Sequence, residues 1–228
     1  MSDQSTSIQP EEDRFVLMKY AILTVSTPNR KRIFELTNKT KEKFASEHGM
    51  DFIFSDSFKD EIDWKGHLYW LKPFYIKKHF ADYDAVFWMD DDAGFVRYDF
   101  DLSSFIGEIV KPIYYTEDEN GINSGIMILK KCETAQRYLD FWTSAATDRK
   151  FQFCNYDQEA LIAYANDHPS DFGTLNGSVF NAHHPSFEMK AKNSFSSETL
   201  IVHVAGGPGR KDALFRSGEM QRLFRILS

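Results

Sequence analysis

The chain predicts an α/β fold, a mainly parallel, Rossmann-like sheet flanked by helices, in one domain. Three observations predict it. Short apolar runs rich in strand formers alternate with longer amphipathic stretches, the strand–helix–strand order of a parallel sheet. The run Ala85 to Met89 reads as a buried strand and ends in three aspartates, as functional loops do at strand ends in such sheets. The 228 residues, 42% hydrophobic with 21 Phe, 10 Tyr and 4 Trp, can support one sizeable, bulky core.

The elements follow in order. Residues 1–14 are polar and acidic and read as a flexible tail, leaving 15–228 as the domain. Phe15 to Val25 is the first strand, ended by the turn signal Ser26-Thr27-Pro28-Asn29. Arg30 to His48 reads as a helix with Ile33, Leu36 and Phe44 on its apolar side and Gly49 as its stop. Asp51 to Phe54 is a short strand. His67 to Phe80 is a helix that Pro73 bends or delays. Ala85 to Met89, Pro112 to Tyr115 and Gly125 to Leu129 are further strands. Helices are expected over Glu133 to Ala146 and Tyr156 to Asn166, and a late strand over Leu200 to Val204.

A net charge of −7 argues against non-specific nucleic-acid binding, which needs a basic face. Two cysteines, Cys132 and Cys154, provide no metal spacing and no disulfide framework; packed, reduced thiols are expected. The amino-terminal residues lack the apolar core of a signal peptide, and no stretch has the apolar length of a membrane span. A soluble, cytoplasmic protein is the expectation, one that reaches any membrane-bound acceptor from the surface.

The triple aspartate Asp90-Asp91-Asp92 is the strongest chemical signal. Carboxylates a few ångströms apart at the mouth of a sheet repel, and partial desolvation sharpens the repulsion. A divalent cation relieves it. Asp90 and Asp92 point the same way on an extended segment and suit oxygen-ligated Mg²⁺ or Mn²⁺. A solvated acidic loop or a helix cap is the plainer reading of such a cluster.

Four stretches together resemble the GT-A-fold glycosyltransferases that use nucleotide sugars. They look most like the retaining galactosyl- and xylosyltransferase group, glycosyltransferase family 34, and are similar to glycogenin and galactosyltransferase family 8. The stretches are Trp88-Met89-Asp90-Asp91-Asp92-Ala93, Gly121-Ile122-Asn123-Ser124-Gly125, Tyr156-Asp157-Gln158-Glu159 and Leu200-Ile201-Val202-His203-Val204-Ala205-Gly206. The match runs over residues 18–212 by order of motifs.

The resemblance implies a function and a site. Asp90 and Asp92 would hold a metal, Asp91 taking the variable position beside the nucleotide, and His203 would complete the metal site. On its own, a histidine in an apolar strand is more often a packed core residue. The resemblance places an Asn-Ser-Gly turn, here Asn123 and Ser124, on the donor sugar. It makes Asp157 and Gln158 the active-site pair, the Asp on sugar hydroxyls and the Gln opposite the leaving group. Asp157 also reads as a simple helix cap. Lys72 falls where relatives carry a lysine helix near the donor, and Thr24 and Ser26 where they hold base and ribose.

Gly206-Gly207-Pro208-Gly209 permits close backbone approach to an anion, with Arg210 or Lys211 supplying charge. The spacing after Gly206 is longer than the relatives' pattern. The implied activity is transfer from a nucleoside-diphosphate sugar, UDP-linked, to a hydroxyl of a saccharide or glycoconjugate, with retention. Retention fits because no clear carboxylate base lies outside the metal cluster, although Asp118 or Glu119 in the loop before Asn123 could serve for inversion. Adding the imidazole to the two carboxylates moves metal preference from Mg²⁺ toward Mn²⁺. The rivals are a metal-dependent nucleotidyl- or phosphotransferase, for which Thr27 to Arg32 is the basic segment, and a non-catalytic nucleotide-sugar-binding protein.

Overall fold

The computed structural model describes residues 18–57, 62, 66–152, 156–183, 192–204 and 218–225. The expected tail, the first residues of the expected opening strand, and Gly206, Arg210 and Lys211 lie outside the described residues.

The elements are β1 (Tyr20–Val25), α1 (Lys31–Glu47), β2 (Asp51–Ser55), α2 (Leu71–Phe80), β3 (Ala85–Met89), β4 (Ala93–Phe95) and α3 (Leu102–Glu108). Then come β5 (Ile113–Asp118), β6 (Gly121–Lys130), α4 (Glu133–Ala145), α5 (Asp157–Asp167), β7 (Phe172–Thr174), α6 (Gly177–Phe180), β8 (Ile201–His203) and α7 (Glu219–Arg225). The main sheet has strand order β2-β1-β3-β6-β5-β7. β1 pairs with β2 and β3 in parallel, and β5 with β7 in parallel. Only β6 runs against the rest, pairing antiparallel with β3 and β5. The predicted α/β architecture with a mostly parallel sheet between helices is therefore observed.

Successive residues of the inner strands feed two separate cores. Ala21, Leu23, Val86, Trp88, Met127 and Leu129 join Trp70, Tyr75, Tyr138, Trp142 and Leu161 beneath α2, α4 and α5. Ile22, Phe87, Met89, Ile126 and Ile128 join Phe44, Phe95, Leu102, Ile106 and Phe180 on the other face. Both faces of the sheet are covered, which is why these strands read as unbroken apolar runs.

Local chemistry explains most boundaries. Gly49 has φ +64°, and Met50 N–H donates to Ala45 O at 2.9 Å, closing α1 in a Schellman turn. Pro73 is tolerated because it falls in the first turn of α2, where its missing N–H is an orphan anyway; a 3-10 turn, Leu68–Trp70, delays the helix. β4 and β8 form a separate antiparallel pair, aligning Ala93 with His203. Among the described residues Cys132 is a free, exposed thiol rather than a packed one.

The sequence expectation of an Asn-Ser-Gly turn before a strand needs correction. β6 begins at Gly121, so Asn123, Ser124 and Gly125 are inside the strand. The hairpin turn falls at Glu119-Asn120, with Gly121 at φ +101°. The pairing register jumps: Tyr115 faces Met127, whereas Thr116 faces Asn123. Residues 124–126 therefore bulge out of the ladder with β5. A bulge next to a strand end re-aims side chains, and this one turns Ser124 and Gly125 toward the aspartates.

Candidate active site

β3 ends at Met89, and the next three residues carry the carboxylates. Asp90 N–H donates to Gly125 O at 2.8 Å, so the bulge on β6 fixes where the acidic loop leaves the sheet. Ala93 N–H then donates back to Asp90 O at 3.0 Å and turns the chain into β4. β4 pairs with β8 and thereby sets His203 beside the loop, 111 residues along the chain from Asp92.

His203 Nε2 lies 3.1 Å from Asp92 Oδ1 and 4.0 Å from Asp90 Oδ2. Its Nδ1 is 2.8 Å from Asn181 Oδ1; a hydrogen on Nδ1 donated to that oxygen would leave the Nε2 lone pair for a cation held by the carboxylates. One ligand atom from each of Asp90, Asp92 and His203 falls within 4.8 Å of the others. Two carboxylate oxygens and an imidazole nitrogen fit a divalent cation. Asn181 had no signal in the sequence.

The three aspartates have different surroundings. Asp91 accepts from Arg30 through both carboxylate oxygens and from the Ser26 hydroxyl, and its backbone O accepts from Thr37 Oγ1 at 2.6 Å. Burial, with the Asp92 charge next to it, pushes its carboxyl up; Arg30 and Ser26 oppose that without cancelling it. Arg30 also reaches Asp92 Oδ2 at 3.2 Å. The expected contacts of Ser26 and Asp91 with a nucleotide thus meet side chains already joined to each other. Thr24 likewise gives its hydroxyl to Met89 O at 2.7 Å.

Asp90 is the most open of the three, and Trp88 Nε1 donates to its Oδ1 at 2.8 Å. The basic segment after β1 is spent locally: Arg30 closes on Asp91 and Asp92, and Lys31 pairs with Glu35 at 3.7 Å.

A second charged group adjoins the first. Lys72 is buried and its Nζ donates to Ser124 O and Oγ, both at 2.9 Å, while lying 3.1 Å from Asp90 Oδ1 and 3.2 Å from Asp157 Oδ2. Burial lowers its affinity for a proton, but the Asp157 and Asp90 charges outweigh that and hold the ammonium above the usual lysine range. Burial dominates at Asp157 and pushes its carboxyl up despite Lys72. Asp157 Oδ2 accepts from Ser124 Oγ at 3.1 Å, and Gln158 Oε1 accepts from Ser124 N–H at 3.3 Å. Asn123 Oδ1 accepts from Gly125 N–H at 2.8 Å, and its Nδ2 donates to Asp118 Oδ2 at 2.7 Å. The structure therefore brings Asp90, Asp92, His203, Lys72, Ser124, Asp157 and Gln158 into one connected group.

Asp118 and Glu119 are both engaged. Asp118 accepts from Asn120 N–H and Asn123, and Glu119 pairs with His183 at 2.9 Å.

Lys41 is another residue sequence reasoning passed over. It is completely buried on α1 and donates to Asp90 O at 2.9 Å. Burial pulls its ammonium down to about 8 from 10.5, against the attraction of Asp91, Asp92 and Asp90. Between these two values the unfolded chain binds more protons than the folded one, so stability rises with pH across that window. In protein stripped of divalent cations, urea unfolding is expected to show wild type gaining a few kcal/mol relative to Lys41→Met from pH 8 to 10.5. A pH-independent difference contradicts the burial of a titrating amine.

Comparison with known proteins follows the same lines. The sequence profile of the galactosyl transferase GMA12/MNN10 family, glycosyltransferase family 34, matches residues 107–212. That stretch holds β6, α5 and His203; the aspartates lie upstream of it. A glycosyltransferase involved in the glycosylation of the major capsid of PBCV-1 superposes with TM-score 0.70 at 16% identity, covering 90% of this chain and 99% of that one. The galactosyltransferase LgtC, solved with donor and acceptor sugar analogs, gives 0.56 at 12%, covering 91% and 96%. Mouse xyloside xylosyltransferase 1 gives 0.53 at 12%, covering 84% and 99%. No curated protein matches by sequence.

Fold and profile together define the class: a GT-A glycosyltransferase. Within that class the chain is similar to glycosyltransferase family 34, the resemblance its motifs carried. Among the described residues no helix is long and apolar enough to cross a membrane.

Proposed function

We propose that the protein transfers a sugar from a UDP-sugar to a hydroxyl of a saccharide or glycoconjugate, with a divalent cation, Mn²⁺ in preference to Mg²⁺, and with retention of configuration. The observation that carries this reading is the convergence of Asp90, Asp92 and His203 within 4.8 Å, joined through Lys72 to Asp157 and Gln158. Asp90, Asp92 and His203 would hold the cation, which when bound offsets the charge that grows on the departing diphosphate.

The chain's own groups have separate roles. Lys72, kept protonated by Asp157 and Asp90, adds fixed positive charge where the diphosphate leaves. Asn123, Ser124 and Asp157 present hydrogen-bonding groups to the sugar hydroxyls. Gln158 is a poor nucleophile but can direct its amide oxygen at positive charge on the anomeric carbon. In the reaction the bond from anomeric carbon to phosphate oxygen breaks as the bond to the acceptor oxygen forms on the same face. The acceptor proton passes to the released phosphate oxygen. The engagement of Asp118 with Asn123 and Glu119 with His183 supports retention, because neither carboxylate is left to act as an unencumbered base.

The test is a screen of UDP- and GDP-sugars for release of the nucleoside diphosphate, with Mn²⁺ and then in EDTA. UDP release that stops in EDTA and returns with Mn²⁺ is expected. Pyrophosphate release would favour a nucleotidyltransferase. Tight UDP binding without turnover of any donor would leave a non-catalytic binding protein.

A further inference from the structure

The entrances of the two helices that carry Lys72 and Asp157 meet in a group of aromatic rings. His67 precedes the 3-10 turn that opens α2, and Tyr156 is the N-cap of α5. The rings of His67 and Tyr156 stack with centroids 4.0 Å apart and planes 7° from parallel. Tyr69 closes the group, 5.4 Å from Tyr156 and 4.9 Å from His67.

Tyr156 is partly buried and packs against the core under α4 and α5, but core packing does not account for the exposed rings of His67 and Tyr69. Trp70, Leu71 and Tyr75 of the same segment turn inward and are buried, whereas Tyr69 is 60% exposed and Leu68 47%. Two adjacent large apolar residues at the surface expose area that water solvates poorly. Tyr156 adds a second, independent observation. Its backbone, at φ 42° and ψ −105°, is the one non-glycine positive φ among the described residues. A bulky residue in such a conformation is strained, and strain of this kind clusters at ligand clamps and active sites. Here it holds the Tyr156 ring against His67 one residue before Asp157 and two before Gln158.

We propose that His67, Tyr69 and Tyr156 form the platform on which the acceptor saccharide stacks. The assignment rests on the glycosyl-transfer reading above and names the acceptor side of that same site. An uncharged pyranose offers a face of polarised C–H groups, and an aromatic ring offers the negative face of its quadrupole. A few aromatic walls with polar groups at one end are the usual make-up of a small-molecule site, and Asp157 and Gln158 supply that polar end. A nucleobase also stacks on tyrosine, but the position argues against it. The platform adjoins Asp157 and Gln158, and through Ser124 it borders β6, not the end of β1 where Thr24 and Ser26 lie.

The experiment uses the full chain, a UDP-sugar that it hydrolyses, and methyl α- and β-glycosides of galactose, glucose, mannose and xylose as probes. Saturation-transfer NMR is expected to show at least one glycoside receiving magnetisation through its ring protons, and that signal is expected to fall severalfold in Tyr69→Ala. In transfer kinetics, Tyr69→Ala is expected to raise the glycoside KM about tenfold while the UDP-sugar KM stays within twofold; Tyr69→Phe restores the glycoside KM. Absence of saturation transfer from every glycoside overturns the platform. So does a glycoside KM unmoved by Tyr69→Ala, or a UDP-sugar KM that rises with it, the mark of a nucleobase site. If wild type releases UDP from no donor at all, the glycosyl-transfer reading itself fails, a result distinct from any of these.

Discussion

Gly125→Ala is expected to abolish measurable divalent-cation binding and to lower turnover at least a hundredfold. A Cβ built on Gly125 falls 2.3 Å from His203 Cε1, 3.0 Å from His203 Nδ1 and 2.8 Å from Asn123 Oδ1. Contacts under 3 Å to carbon are repulsive, so one partner must move. His203 has little freedom, since β8 pairs with β4, Asn181 holds its Nδ1 and Asp92 faces its Nε2. β6 has little either, because Gly125 O is the acceptor for Asp90 N–H and β6 pairs with β3 from the next residue, Ile126, onward. Relief therefore displaces either the imidazole or the aspartate loop, and each displacement separates the three ligands. The control is Gly107→Ala, where a Cβ meets nothing within 4 Å and α3 should gain up to ~1 kcal/mol of helix propensity. Normal cation binding by Gly125→Ala, measured by calorimetry, contradicts the packing of this strand against His203.

Lys72→Met is expected to cost about 3–5 kcal/mol of folding stability, the usual range when one partner of a buried ion pair is removed. The loss leaves Asp90 and Asp157 facing each other without the ammonium that now lies 3.1 and 3.2 Å from them. It also strips two hydrogen bonds from Ser124. Asp157 is already pushed up by burial, and without Lys72 it should take a proton more readily still. Two consequences separate this account from simple loss of packing. Lys72→Met with Asp157→Asn should recover part of the lost stability, because the second change removes an unpaired buried charge. Adding Mn²⁺ should stabilise Lys72→Met more than wild type, since the cation replaces positive charge beside Asp90. Equal destabilisation in single and double variants, with no added effect of Mn²⁺, contradicts the electrostatic role of Lys72.

The legible parts of the sequence were those where one local signal sufficed. The strand Ala85–Met89 matched residue for residue, because an apolar run ending in charge has one reading in an α/β sheet. Gly49 marked the end of α1 for a conformational reason that survives in any context. Asp90, Asp92 and His203 were paired across a long separation by resemblance of motifs, and the geometry brings them together. β4 was missed: three residues, Ala93 to Phe95, carry no periodicity, and their strand character comes from pairing with β8. The Asn-Ser-Gly stretch has the composition of a turn; the bulge that holds it inside β6 depends on the partner strand. Arg30, Lys41 and Asn181 were not assigned to the site for a related reason. A lone arginine, lysine or asparagine on a helix or loop looks solvated until tertiary packing turns it inward.

On the proposed function, Asp90, Asp92 and His203 hold a divalent cation that binds together with a nucleoside diphosphate. Electron paramagnetic resonance titration of the full chain with Mn²⁺ tests this most directly. One Mn²⁺ per chain is expected, bound more tightly when UDP is present, with the site lost in Asp92→Asn and in His203→Ala. Mn²⁺ binding of the same stoichiometry and affinity in both variants, or binding that UDP does not alter, would contradict it.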